Sequence, residues 1–173
     1  MMKPAITLLL FAILCAATAG FGAQAEIDEL TASNLPAFLK TFAGDVNQVN
    51  EAFEHMSKTK PPMFDAKGQA LGRRKIKDRQ QTVVDLKKTL QDFKQRPDNL
   101  VITMTLSAQT EELADEIYDL TEIAYDNDQE ETALQLTGLL GNFNDDSSLI
   151  QAYALGLAAQ KEQRLSQIEE KHP

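Results

Sequence analysis

Leu35, Leu39, Phe42, Val46, Val49, Phe53 and Met56 follow one another at alternating spacings of four and three residues. That spacing puts all seven on one face of a helix and predicts a first amphipathic helix three heptads long. Asn34 before Leu35 and Pro36 suits its start, with proline tolerated in the first turn. A second seam, Ile76, Val83, Leu86, Leu90 and Phe93, stops before Pro97, and a third comprises Leu106, Leu113, Ile117, Leu120 and Ala124. Asp128 and Glu131 have the spacing of a capping box, opening a shorter helix with Ala133, Leu136, Leu140 and Phe143 inward. Gly141 and the polar run Asn142 to Asp146 predict a break there. A last helix then runs from about Ser147 to Glu169, with Ile150, Tyr153, Leu157, Leu165 and Ile168 inward.

The segment Leu100 to Leu106 is rich in β-branched residues and has the composition of a strand. With no second strand to pair with, it reads as the first turns of the third helix, capped near Asp98. A helix beginning only at Ser107 is the alternative. A long connection, about 58–72, contains Lys60-Pro61-Pro62 and Gly68, with Met63, Phe64 and Leu71 available to tether it. Four or five helices with one apolar face each bury those faces against one another. The expected fold class is therefore all-α, an antiparallel bundle of four to five helices. A stack of helical hairpins is the alternative for the second half.

The pattern changes character before Glu26. Lys3 gives a positive start, an uncharged apolar run extends from Ala5 to Ala19, and small residues end in Ala23-Gln24-Ala25. This is the layout of a secretory signal peptide over residues 1–25, which leaves 26–173 as a single helical-bundle domain. The apolar run reaches the roughly 20 residues of a membrane span only by absorbing Gly20, Phe21 and Gly22. Cleaved export is thus favoured over an uncleaved anchor, and no transmembrane span is expected after cleavage. Cys15, the single cysteine, falls in the segment to be removed. It lacks the small preceding residue of a lipoprotein signal, and the mature chain has no thiol for a disulfide. The expected location is periplasmic or extracellular.

Charge is divided unevenly along the chain. The segment 58–96 carries 12 basic against 4 acidic residues, whereas 98–173 carries 3 basic against 16 acidic. One reading pairs the basic second helix with the acidic third across their solvent edges, where each exposed pair contributes about 0.2–1 kcal/mol and helps to select helix neighbours. The other makes Arg73, Arg74, Lys75, Lys77, Arg79, Lys87 and Lys88 a docking patch for a protein or an anionic envelope component. Nucleic acid is disfavoured by the net negative charge and the export signal.

Chemical signatures are weak by comparison. Glu111, Glu112, Asp115, Glu116, Asp119, Glu122 and Asp126 stand at helical spacings, but a di-iron bundle needs inward Glu-x-x-His pairs and the third helix has no histidine. They read as a solvated face. The run Asp126 to Glu130 lacks the sixth-position glycine and twelfth-position glutamate of a calcium loop, and a helix-capping turn explains it better. His55 beside Met56 has no facing partner other than His172, so haem ligation is disfavoured. Without cysteine in the mature chain, a G-x-S-x-G turn or a glycine-rich phosphate loop, no catalytic residue and no cofactor is assigned. Asn47 and Asn50 look outward by their heptad positions. The sequence thus points to an exported, non-catalytic interaction protein. The alternatives are a small-ligand or metal-ion carrier using the core or the acidic third helix, and a hydrolase whose site is assembled only in three dimensions. The first seam is compatible with a self-interface as well as with a core.

Overall fold

A computed structural model describes residues 29–58 and 62–171. The expected signal peptide and Cys15, residues Lys60 and Pro61 of the connection, and His172 lie outside them. The described chain is four helices: α1 (Leu35–Lys58), α2 (Arg73–Gln95), α3 (Leu100–Asp126) and α4 (Glu130–Lys171). Each packs on its neighbour in sequence, and α1 closes the ring against α4. Arg79 and Thr82 of α2 meet Asp119 and Glu116 of α3 in reverse order, as an antiparallel pair must. Among the described residues, no helix is long and apolar enough to cross a membrane.

The seams read from the sequence form the core. Every apolar residue of the first three is buried, because a helix with one apolar stripe minimises exposed hydrocarbon only by turning that stripe to its neighbours. Phe42 lies at the centre, with ring centroids 5.7 Å from Phe38 and 5.6 Å from Phe143. Phe93 and Tyr153 meet edge to face at 5.9 Å. Leu100 to Leu106 is helical from its first residue, capped by Asn99, whose side chain accepts from the N–H groups of Val101 and Ile102. The later start at Ser107 is excluded.

Four expectations about the second half are corrected, the last of them at Asp128. Gly141 and Asn142 to Asp146 do not interrupt the chain: α4 is one helix of 42 residues. Their low helix propensity amounts to a few kcal/mol at most, and the continuous burial of Leu136, Leu139, Phe143 and Ile150 outweighs it. Leu139 rather than Leu140 is the fully buried member of that turn, with Leu140 packed at its edge. Leu165 and Ile168, expected inward, are 62% and 57% exposed. At 1.5 Å per residue α4 is about 63 Å long and α3 about 40 Å, so α4 outruns its partners. Among the side chains described beyond Leu157, none is buried.

Asp128 plays a different part from the one its spacing suggests. Its φ of 56° is left-handed. The N–H groups of Asp128 and Gln129 reach back to the carbonyls of Tyr125 and Ala124, the Schellman closure usually made by glycine. Asp128 therefore ends α3 and does not cap α4.

Candidate functional site

The connection between α1 and α2 sets the position of the basic patch. Asp65 folds the segment into a miniature hairpin: its Oδ1 accepts from the N–H groups of Lys67 (3.0 Å) and Gln69 (2.8 Å). Gly68 supplies the left-handed turn at φ 71°, and Leu71 N–H donates to Met63 O at 2.7 Å. Met63 and Leu71 are buried, as expected of tethers, while Phe64 is exposed and is held by its backbone instead. This hairpin delivers the chain to Arg73, the first residue of α2.

The seven residues of the expected patch are then separated by their places on α2. Lys75 turns back to the hairpin, 3.0 Å from Asp65 Oδ2 and 3.1 Å from Gln69 Oε1. The Gln69 N–H and the Lys75 ammonium together hold the Asp65 carboxyl below its ordinary range. Arg79 lies at the inner edge of α2. Its guanidinium donates to the Glu116 carbonyl at 3.1 Å and pairs with Asp119 at 3.4 Å. Arg73, Arg74, Lys77 and Lys88 are exposed, and Lys87 is half-buried. None of these five makes an ion pair among the described residues. With apolar residues on the opposite side of the helix, Arg73, Lys77, Val84 and Lys88 form a stripe about 22 Å long by helical rise. Exposed Val84 interrupts the charge at its middle.

The carboxylates of α3 divide in the same way. Glu111, Glu112, Asp115, Asp119, Glu122 and Asp126 are exposed, which places the expected solvated face where the seam predicts it. Asp119 reaches Arg79 of α2 from the edge of this face, and half-buried Glu116 turns further toward α2, where Thr82 Oγ1 donates to its Oε1 at 3.1 Å. Burial raises the Glu116 pKa, with the Thr82 hydrogen bond and Arg79 acting against the shift. The full pairing of α2 with α3 expected from their opposite charge is thus reduced to one cross-helix ion pair among the described residues, Arg79–Asp119.

A second polar feature lies in the core. Asp45 on α1 is 6% exposed and Asp146 on α4 is 9% exposed. Asn142 Nδ2 reaches Asp45 Oδ1 at 3.5 Å, and Gln48 Nε2 donates to the same oxygen at 3.4 Å. Among the described residues, Asp146 Oδ2 has no hydrogen-bond partner. Burial, then the nearby charges of Asp45 and Asp145, push the Asp146 pKa up to about 7. Burial likewise raises that of Asp45, against the Asn142 hydrogen bond. Sequence reasoning passed over both residues, although each stands three residues after a buried phenylalanine and four before a buried aliphatic residue: Phe42 and Val49, Phe143 and Ile150. Seam phase alone would have placed them inward. Asn47, by contrast, is exposed, and Asn50 is half-buried.

Chemically, burial favours the neutral form of both carboxyls. They lie in neither of the surface grooves at Val101 to Glu112 and at Arg96 to Lys161. Among the described residues, no group of three or more His, Cys, Asp or Glu side chains is arranged to hold a metal ion. Comparison of the chain with protein-family models, curated proteins and solved structures finds no match. The geometry of α2 therefore carries the functional reading by itself.

Proposed function

We propose that the protein is an exported, non-catalytic interaction module that docks an anionic partner through the outer face of α2. One observation carries this reading. Arg73, Arg74, Lys77, Lys87 and Lys88 make no ion pair among the described residues, although an acidic helix lies next to them.

Their position adds support. Arg73, Arg74 and Lys75 occupy the first turn of α2, where the helix dipole is already positive and which contains no acidic residue of its own; Asp65 offsets Lys75 alone. Cations there are unfavourable by about 0.3–1 kcal/mol each at the surface. The dipole and the side chains add to one positive potential, the arrangement expected of a surface that receives negative charge. Departures from local rules tend to fall at functional sites. Export rests on the N-terminal sequence, with its positive start, apolar run and small-residue cleavage site.

The test is capture from envelope extract by the mature chain, from Glu26 onward, alongside a Lys77→Glu/Lys88→Glu variant of matching circular dichroism. A discrete component retained by the wild type at low salt, and lost both at high salt and from the variant, is the expected result. Equal retention by both proteins would remove α2 from the binding surface.

A further inference from the structure

The acidic face of α3 stands level with the basic stripe of α2. Arg79 meets Asp119 and Thr82 meets Glu116, so a residue of α2 lies at the height of the α3 residue that brings their two numbers to a sum of about 198. Lys77 is therefore level with Glu122, and Lys88 with Glu111. Arg73 is level with the last turn of α3, which carries Asp126 and no basic residue. Each stripe covers sixteen residues, or fifteen helical steps of about 22 Å in all. Both helix ends at this level carry side chains of the same sign as their own dipole end. The outer members of the two stripes face solvent and do not meet within one molecule; only the inner-edge residues Arg79, Thr82, Glu116 and Asp119 do.

We infer that the anionic partner of the α2 face is the α3 face of a second copy, in a two-fold symmetric dimer; this rests on the docking role proposed for α2. A two-fold axis parallel to the helices preserves height. It lays α2 of each copy antiparallel on α3 of the other, bringing Lys77 to Glu122 and Lys88 to Glu111 at both symmetry-related contacts. The interface is thus self-complementary, as a closed dimer requires. Exposed Val84 on α2, and Val101 and Met104 on α3, supply its apolar part.

Two adjacent helix faces about 10 Å wide and 30 Å long cover roughly 600 Å² per copy. That is about 1,200 Å² in total, the lower bound of stable interfaces. The dimer is accordingly weak and salt-sensitive. Net negative charge opposes it at long range, but at 0.1 M salt the screening length of about 10 Å suppresses that repulsion more than the contacts themselves.

Sedimentation of the mature chain near 100 µM tests the pairing. A dimer mass in 0.1 M salt that falls to the monomer in 1 M salt is expected. Lys77→Glu/Lys88→Glu and Glu111→Lys/Glu122→Lys should each be monomeric alone. An equimolar mixture of the two should recover a heterodimer, because every reversed charge then meets its complement. Recovery on mixing also shows that neither variant was merely unfolded. A wild-type monomer in 0.1 M salt, or a dimer indifferent to both reversals, overturns the proposal. If the wild type is monomeric while Lys77→Glu/Lys88→Glu still loses an envelope component, self-pairing fails and the docking role of α2 stands.

Discussion

The Asn127 carboxamide grips the Phe64 peptide from both sides: Oδ1 accepts from the Phe64 N–H and Nδ2 donates to the Phe64 carbonyl, each at 2.8 Å. The same Nδ2 reaches the Ile123 carbonyl at 2.7 Å. One side chain at the C-cap of α3 thereby joins the α1–α2 connection to the turn between α3 and α4, 63 positions away in sequence. Replacement by alanine removes these bonds at a solvated site. Each contributes at most about 0.5–1.5 kcal/mol net, and less where water takes its place, so Asn127→Ala should lower stability by roughly 1–2 kcal/mol. Amide exchange should accelerate selectively in residues 62–71. A uniform acceleration throughout the bundle would show that Asn127 supports the whole fold and not this junction.

Asp146 makes stability depend on pH in a stated direction. Its folded pKa of about 7 lies above the ordinary 3.8, so the folded state holds this proton more tightly than the unfolded state. The associated stability is complete below about pH 4 and is lost as pH rises toward 7. The slope reaches at most about 1.4 kcal/mol per pH unit. The raised Asp45 and Glu116 carboxyls act in the same sense, and the lowered Asp65 acts in the opposite one. Asp146→Asn should flatten the fall between pH 4 and 7. At pH 8 it should exceed the wild type by on the order of 1–3 kcal/mol, the burial penalty of an uncompensated polar group. Urea midpoints across this range decide the matter; parallel wild-type and variant profiles would mean that Asp146 ionises as if in water.

Gly141 lies in mid-helix with open space where a Cβ would stand. Gly141→Ala therefore adds no clash and restricts the unfolded chain, and it should stabilise by about 0.5–1 kcal/mol. A chain break at this position would reverse the sign. The thermal midpoint thus tests directly whether α4 is continuous.

The end of α4 contributes exposed residues and no buried ones among those described. A stop codon in place of Lys161 should leave the folding free energy within about 0.5 kcal/mol, as surface changes do. A larger loss would place Leu165 and Ile168 against a partner, either within the bundle or in another molecule.

How much of this was legible beforehand differs from one element to the next. The seams of α1, α2 and α3 were, because each is a run of large apolar side chains at helical spacing and burial of hydrocarbon dominates folding. The start of α3 at Leu100 was also readable: β-branched residues lose little in a helix when no strand partner exists. Position 141 was misread because a single-residue propensity is small beside the packing of Phe143 and Ile150. Leu165 and Ile168 were misread because periodicity reports which face is apolar and not whether anything lies opposite it.

The candidate site divides along the same line. Seven cations clustered in and around α2 can be counted in the chain, but which of them are occupied depends on where a loop returns. Lys75 is taken by Asp65 and Arg79 by Asp119, and both partners are brought there by the fold. By itself the sequence determined the amphipathic faces of the first three helices, the helical period of the rest and the segregation of charge, since these follow from local spacing and side-chain chemistry. Only the tertiary structure decided that α4 is one helix longer than its neighbours, that Asp45 and Asp146 share the core, and that the basic and acidic stripes stand level on the surface. Those are distances between residues remote in sequence, set by the packing of all four helices together and by no local preference of the chain.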